Sequence, residues 1–132
     1  MRAERILETC LYVDDLDAAE AFYTRVLGLA LIGQDPARHR FFRCGEGVLL
    51  LFNPALTVAD GKAPPHGAQG PGHLTFAMAA SEAPAWRAWL REQGVAIERE
   101  VGWPGGGLSL YFRDPSGNSL ELATPSLWFP EA

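Results

Sequence analysis

The chain has 132 residues, 48% apolar and 20% charged, with a formal net charge of −5. That balance is enough for a packed core and excludes a disordered chain. Acidic and basic residues are interspersed without a Lys/Arg block, which argues against a phosphate-tracking surface and so against a nucleic-acid partner.

The first element is a strand. Leu7-Glu8-Thr9-Cys10-Leu11-Tyr12-Val13 alternates apolar with mixed residues, the period of a half-buried strand. Asp15 then offers an N-cap, and Leu16, Ala19, Phe22, Tyr23 and Val26 recur at helical spacing, so a helix is predicted over Leu16 to Val26, with Gly28 as its stop. Three strands follow, ending near Asn53-Pro54. The segment Thr57 to Pro71 is rich in Gly, Pro and Ala, lacks periodicity and reads as a surface loop, long enough to serve as a lid or an exchange arm between subunits. A second strand–helix pair comes next: Gly72 to Met78, then Glu82 to Gln93, with Ser81 as the cap, Pro84 in the first turn, Trp86, Trp89 and Leu90 as the apolar stripe and Gly94 as the stop. Three further strands end near Thr124-Pro125, interrupted by the glycine-rich loop Trp103-Pro104-Gly105-Gly106-Gly107.

The order of signals is therefore repeated. Phe41-Phe42-Arg43 and a glycine turn in the first half resemble Tyr111-Phe112-Arg113 and Asp114-Pro115-Ser116-Gly117-Asn118 in the second. Aligning the halves sets Leu50 opposite Glu121 and Glu8 close to His73. The expected fold is α+β: two βαβββ modules forming a curved mixed-sheet cup, with helices on the outer face. The boundaries are 1–56 for the first module, 57–71 for the linker loop, 72–125 for the second module and 126–132 for a C-terminal tail.

Strand alternation sorts residues between the helix side and the concave side. Leu7, Thr9, Leu11 and Val13 suit the helix side, as do Leu74, Phe76, Met78, Leu120 and Leu122. Glu8, His73 and Glu121 then share the concave side, together with Cys10, Tyr12, Thr75, Ala77, Ser119 and Ala123. A charged side chain placed there needs a partner or a metal to offset desolvation. One histidine and two carboxylates suit a divalent ion with positions left for water and substrate: iron, manganese, nickel, cobalt or zinc. The competing reading is that His73 is an ordinary strand histidine and the glutamates are salt-bridged.

The longest apolar runs, such as Val48 to Phe52, are far too short to cross a bilayer, and the charged start Met1-Arg2-Ala3-Glu4-Arg5 has no signal-peptide core. A cytoplasmic protein without a membrane partner is expected, with Cys10 and Cys44 as reduced, buried thiols.

The stretch from Ile6 to Leu16, with Phe22-Tyr23 and Val26-Leu27-Gly28-Leu29, resembles the opening of proteins of the vicinal oxygen chelate superfamily, which includes glyoxalases, bleomycin resistance proteins and extradiol dioxygenases. Pro71-Gly72-His73-Leu74-Thr75-Phe76 resembles that family's second ligand strand, and Phe112 to Leu122 its closing Asp-Pro-x-Gly-Asn-x-x-Glu signature. The resemblance covers almost the whole chain. It implies Glu8, His73 and Glu121 as metal ligands, with Glu8 or Glu121 doubling as proton acceptor. Two positions depart from the family's subgroups. Leu50 stands where glyoxalase I relatives carry a further glutamate ligand, and Glu8 where dioxygenases and fosfomycin resistance proteins usually carry histidine.

The resemblance also implies a small-molecule substrate that chelates the ion through neighbouring oxygens, in a lyase, isomerase or dioxygenase reaction. The substrate-lining residues would be Phe41, Arg43, Leu50, Phe52, Trp103, Tyr111 and Arg113; His39 and Ser109 share their parity. Either arginine could instead close a strand-end salt bridge. The alternative function is a metal-free drug-binding protein of bleomycin-resistance type, with Tyr12, Phe41, Phe52, Trp103 and Tyr111 available for stacking. Small members of the family typically dimerise, and Trp128 and Phe129, beyond the last strand, suit such an interface.

Overall fold

The computed structural model describes residues 1–131, so Ala132, the end of the expected tail, lies outside the described residues. The chain divides into two compact units, residues 1–72 and 73–132. Each is built as predicted: strand, helix, three strands.

In the first unit the strands β1 (Glu8–Tyr12), β2 (Ala30–Asp35), β3 (His39–Cys44) and β4 (Gly47–Phe52) form a sheet in the order β1-β4-β3-β2. The β1–β4 pair is parallel and the others are antiparallel. A parallel neighbour requires a crossover, and α1 (Leu16–Arg25) is part of it. Asp15 caps α1 by accepting the Ala18 N–H at 3.0 Å, and Gly28, at φ 68°, makes the left-handed exit. Leu16, Ala19, Phe22, Tyr23 and Val26 are all buried, with Leu11, Val13, Phe42, Leu49 and Leu51. Arg40, on the same side of β3 as Phe42, reaches α1 and pairs with Glu20 (2.7 Å) and Asp17 (2.8 Å). A guanidinium can be buried in this way because each of its nitrogens donates a hydrogen bond, including one to the Asp35 carbonyl at 2.9 Å.

The second unit repeats the plan, with β5 (His73–Ala77), β6 (Arg99–Gly102), β7 (Leu108–Arg113) and β8 (Ser119–Ala123) in the order β5-β8-β7-β6. Again one pair, β5–β8, is parallel. Met78, Ala83, Leu90, Leu110, Phe112, Leu120 and Leu122 form its core. The turn between β7 and β8 is organised by Asp114, which accepts the N–H groups of Ser116 (3.0 Å) and Asn118 (2.9 Å).

Several local expectations are corrected. Leu7 is 60% exposed and Thr9 is exposed, because β1 begins only at Glu8 and just its far end, at Leu11, reaches the core. Ser81 is not the cap of the second module's helix: residues Ala80–Glu82 form a 3-10 turn, and that helix, α3 (Ala83–Glu92), starts only after it. Glu82 instead turns back to accept the Ala79 N–H at 2.7 Å. The buried stripe of α3 is Ala83 and Leu90 with Trp86 half-buried, whereas Trp89 is exposed, one position off that stripe. Cys10 and Cys44 are unpaired, but only half-buried.

After β4 a single-turn helix, α2 (Pro54–Thr57), leads into the residues read as a linker, and His66 fastens these back onto the first unit. Its N–H donates to the Thr57 carbonyl at 2.9 Å, and its Nδ1 lies 2.6 Å from the Tyr12 hydroxyl. No helix among the described residues is long and apolar enough to cross a membrane.

Candidate metal centre

The register of the second sheet decides which side chains meet. Thr75 lies opposite Glu121 across β5–β8, and Tyr111 lies opposite Glu121 across β7–β8. Counting by twos puts His73, Thr75, Glu121, Ser109 and Tyr111 on one face, with Leu110, Phe112, Leu120 and Leu122 on the other. The expected parity of His73 and Glu121 therefore holds.

Glu121 is 5% exposed. Its Oε2 accepts the Thr75 hydroxyl at 2.8 Å and lies 3.4 Å from His73 Nε2. The other ring nitrogen, Nδ1, is 2.9 Å from the Ser119 carbonyl. A carbonyl only accepts, so Nδ1 carries the hydrogen, and a neutral ring then presents a lone pair at Nε2. Thr75 has one proton and has given it to Glu121. Its oxygen, 3.2 Å from Nε2, cannot also donate there. A nitrogen lone pair and a carboxylate oxygen thus face each other, an arrangement that needs a proton or a cation between them. A backbone carbonyl holding the far N–H of a histidine is also the usual support of a metal-binding imidazole.

The second carboxylate oxygen, Oε1, is buried and receives no hydrogen bond of good geometry from the described residues. Burial pushes the Glu121 carboxyl up, but the hydroxyls of Ser109, Thr75 and Tyr111 together with His73 outweigh it, so the group is held below the ordinary carboxylate range. Ser109 and Tyr111 thus stabilise the charge at less favourable geometry, leaving lone pairs of Oε1 open. Burial, and then Glu121 itself, raise the Tyr111 phenol, which stays protonated and remains a donor. One imidazole nitrogen, a buried carboxylate with an unsatisfied oxygen and surrounding hydroxyls are a donor set that fits a divalent ion. Among the described residues no group of three or more His, Cys, Asp and Glu side chains is gathered for such an ion. The pair His73–Glu121 is what the second module brings together.

The first module carries the equivalent positions. Glu8 lies opposite Val48 as His73 lies opposite Ser119, and Leu50 lies between Cys10 and Phe41 as Glu121 lies between Thr75 and Tyr111. Glu8 is exposed at the start of β1. Phe41 stacks on His39 with centroids 4.0 Å apart, and Phe52 meets Phe41 edge-on at 5.6 Å. Arg38 lies 5.1 Å over the Phe52 ring.

The other expected substrate residues are placed as follows. Arg43 donates to the Gly45 carbonyl at 2.7 Å. Arg113 pairs with Glu98 at 3.1 Å, a strand-end salt bridge. Trp103 is exposed (36%) in the glycine-rich loop, and its indole N–H donates to the Ser109 hydroxyl at 2.9 Å. Sequence reasoning places Thr75 and Ser109 on this face but gives neither a role. Their parity with Glu121 was the available signal. For His66, inside an aperiodic segment, the sequence holds none.

Comparisons with known proteins bear out the fold and give the family. The profile of the Glyoxalase/Bleomycin resistance protein/Dioxygenase superfamily matches residues 5–122. The crystal structure of a lactoylglutathione lyase from Agrobacterium tumefaciens is 42% identical, with a TM-score of 0.93, covering 97% of this chain and 98% of its own. An integron cassette protein from the mobile metagenome of the Halifax Harbour sewage outfall is 25% identical, with a TM-score of 0.75, covering 92% and 99%. A fosfomycin resistance protein variant from Listeria monocytogenes, crystallised with Mn(II) and 1S,2S-dihydroxypropylphosphonic acid, is 20% identical, with a TM-score of 0.69 over 92% and 90%, a likeness of fold alone. No curated protein matches the chain. With a family profile spanning both modules, the chain belongs to the Glyoxalase/Bleomycin resistance protein/Dioxygenase superfamily.

Proposed function

We propose that this chain is a divalent-metal-dependent enzyme of glyoxalase type, a lyase or isomerase, acting on a small substrate that chelates the ion through neighbouring oxygens. The observation that carries this reading is the His73 Nε2–Glu121 Oε2 confrontation at 3.4 Å beside the unsatisfied Oε1. The 42% identity to a lactoylglutathione lyase supports the reaction class. His73 and Glu121 would hold the ion, with Glu8 of the first module, from the same chain or a second copy, as the third ligand. Iron, manganese, nickel, cobalt and zinc all suit nitrogen and oxygen donors. When bound, such an ion polarises substrate oxygens and stabilises the negative charge that develops on them.

The protein's own residues do the rest. Thr75, Ser109 and Tyr111 hold Glu121 ionised and oriented. Glu8, exposed and less constrained, is the carboxylate we assign to proton transfer. Phe41, Leu50 and Phe52 offer an apolar surface, Tyr111 and Trp103 border the polar one, and Arg43 and Arg113, at strand ends, would be the cations to meet an acidic group.

A second reading, a metal-free drug-binding protein of bleomycin-resistance type, is favoured by one observation, the aromatic face of His39, Phe41 and Phe52. Elemental analysis of purified protein, paired with turnover of a lactoylglutathione-type substrate by wild type, His73→Ala and Glu121→Ala, separates the two. The enzyme reading expects one ion per chain and loss of turnover in both variants. Wild-type turnover by either variant would count decisively against it.

The same reading takes the protein as a cytoplasmic homodimer. Its unpaired cysteines suit a reducing compartment, and Trp128 and Phe129 are 77% and 60% exposed. A monomer in sedimentation at micromolar concentration would rule the dimer out.

A further inference from the structure

We propose that Trp103 and Ser109 are positioning residues for Glu121: the indole N–H occupies one acceptor site of the Ser109 hydroxyl and so directs its single proton onto the Glu121 carboxylate. The functional meaning of this relay rests on Glu121 being a cation ligand, the reading given above.

Ser109 is 0% exposed, so water does not compete for its hydroxyl. An indole nitrogen only donates, so at 2.9 Å Trp103 makes Ser109 Oγ an acceptor on that side. The hydroxyl proton must point elsewhere. Ser109 lies opposite Ala123 on β8, two residues from Glu121 on the same face, and its hydroxyl is one of those that hold the Glu121 charge. A carboxylate outcompetes a neutral acceptor for such a proton.

The indole is itself held in place. The backbone N–H of Trp103 donates to the Gly107 carbonyl at 2.7 Å, and Gly106 N–H donates to the Trp103 carbonyl at 3.1 Å, closing the loop on itself. Gly105 and Gly106, at φ 94° and 98°, adopt a conformation that side chains would strain. Gly107 sits so close to the turn Pro125–Leu127 that a Cβ there would lie 3.3 Å from Leu127 Cα. The glycine-rich loop is thus not a phosphate cradle but a mount for one indole, and the state of the carboxylate is linked to the seating of that loop.

Two measurements on the full chain test this. The first is metal-free. The indole N–H resonance of Trp103 is the one lost in Trp103→Phe. Glu121→Gln is expected to move it, and to leave it unmoved when Ser109 is already alanine. The second is a Zn(II) titration. Ser109→Ala is expected to weaken binding roughly 10–100-fold, the usual cost of losing a group that supports a metal ligand. Trp103→Phe should weaken it less, and the double variant should bind no worse than Ser109→Ala alone. Ser109→Thr, which keeps the hydroxyl, should restore binding and guards against a folding defect in the alanine variant.

An unmoved Trp103 resonance in Glu121→Gln, or fully additive effects of Trp103→Phe and Ser109→Ala, would overturn the relay and leave Trp103 a packing residue. Wild type that takes no Zn(II), while Glu121→Gln still moves Trp103 through Ser109, would sink the metal reading and uphold the relay. Wild-type Zn(II) affinity in both Ser109→Ala and Trp103→Phe would do the reverse.

Discussion

Where β8 carries Glu121, β4 carries Leu50; where β7 carries Ser109 and Tyr111, β3 carries His39 and Phe41; and where β5 carries Thr75, β1 carries Cys10. Two sheets with the same strand order and register thus present opposite chemistry on equivalent faces. One surrounds a buried carboxylate with hydroxyls. The other surrounds a leucine with rings. Their helix-side faces differ far less: Phe42 and Phe112 occupy equivalent places and both are 0% exposed. The comparison teaches that the backbone plan needs only its core pattern, while the opposite face is free to take on chemistry.

The largest expected effect tests the shared half of that statement. Phe42→Ala and Phe112→Ala should each cost about 3–5 kcal/mol in chemical denaturation, the usual range for removing a buried phenylalanine. A cost below about 1 kcal/mol for one but not the other would break the equivalence of the two cores.

Exchanging the residues that differ sharpens it. Leu50→Glu places a carboxylate among Cys10, Phe41 and Phe52, where the Tyr12 hydroxyl on the same face is already engaged by His66, and should destabilise the metal-free protein by about 2 kcal/mol. Glu121→Leu removes a buried charge and should leave metal-free stability unchanged or slightly raised while abolishing cation uptake. Strong destabilisation by Glu121→Leu would show that the carboxylate serves structure and not a ligand.

The smallest effect is on pH. Burial first, then the neighbouring Arg38 and Arg40 charges, lower the His39 pKa from its ordinary value of 6.5, against an opposing pull from Asp35. The unfolded chain therefore takes up this proton more readily than the folded one. Stability present above pH 6.5 is lost as pH falls below it toward the folded value. The equivalent residue of the second module is Ser109, which does not titrate in this range. His39→Phe should flatten the thermal-melt midpoint across that window. An unchanged slope would show that another group is responsible.

Much of this was legible in the sequence. The helix of the first module was read from the spacing of Leu16, Ala19, Phe22, Tyr23 and Val26, because an apolar stripe and an Asp15 cap act locally. The pairing of Leu50 with Glu121 across the repeat follows from aligning the closing prolines, Pro54 and Pro125, and the observed registers agree. The faces of His73 and Glu121 followed from alternation alone. The start of α3 was not legible, because Ser81 looks like a cap and the deciding bond, from Ala79 N–H to Glu82, depends on a turn that no pattern announces. Nor was the Trp103–Ser109 bond, which depends on how a glycine loop folds over a neighbouring strand. His66 anchors an aperiodic segment through one contact with Tyr12, and a single tertiary contact leaves no trace in local composition.

The central claim is that a cation belongs between His73 Nε2 and Glu121 Oε2, now 3.4 Å apart. The most direct measurement is an anomalous difference map from crystals soaked in Mn(II). The account predicts one strong peak per chain within bonding reach of both atoms. A map with no peak there, and with the two side chains still facing each other directly, would contradict it.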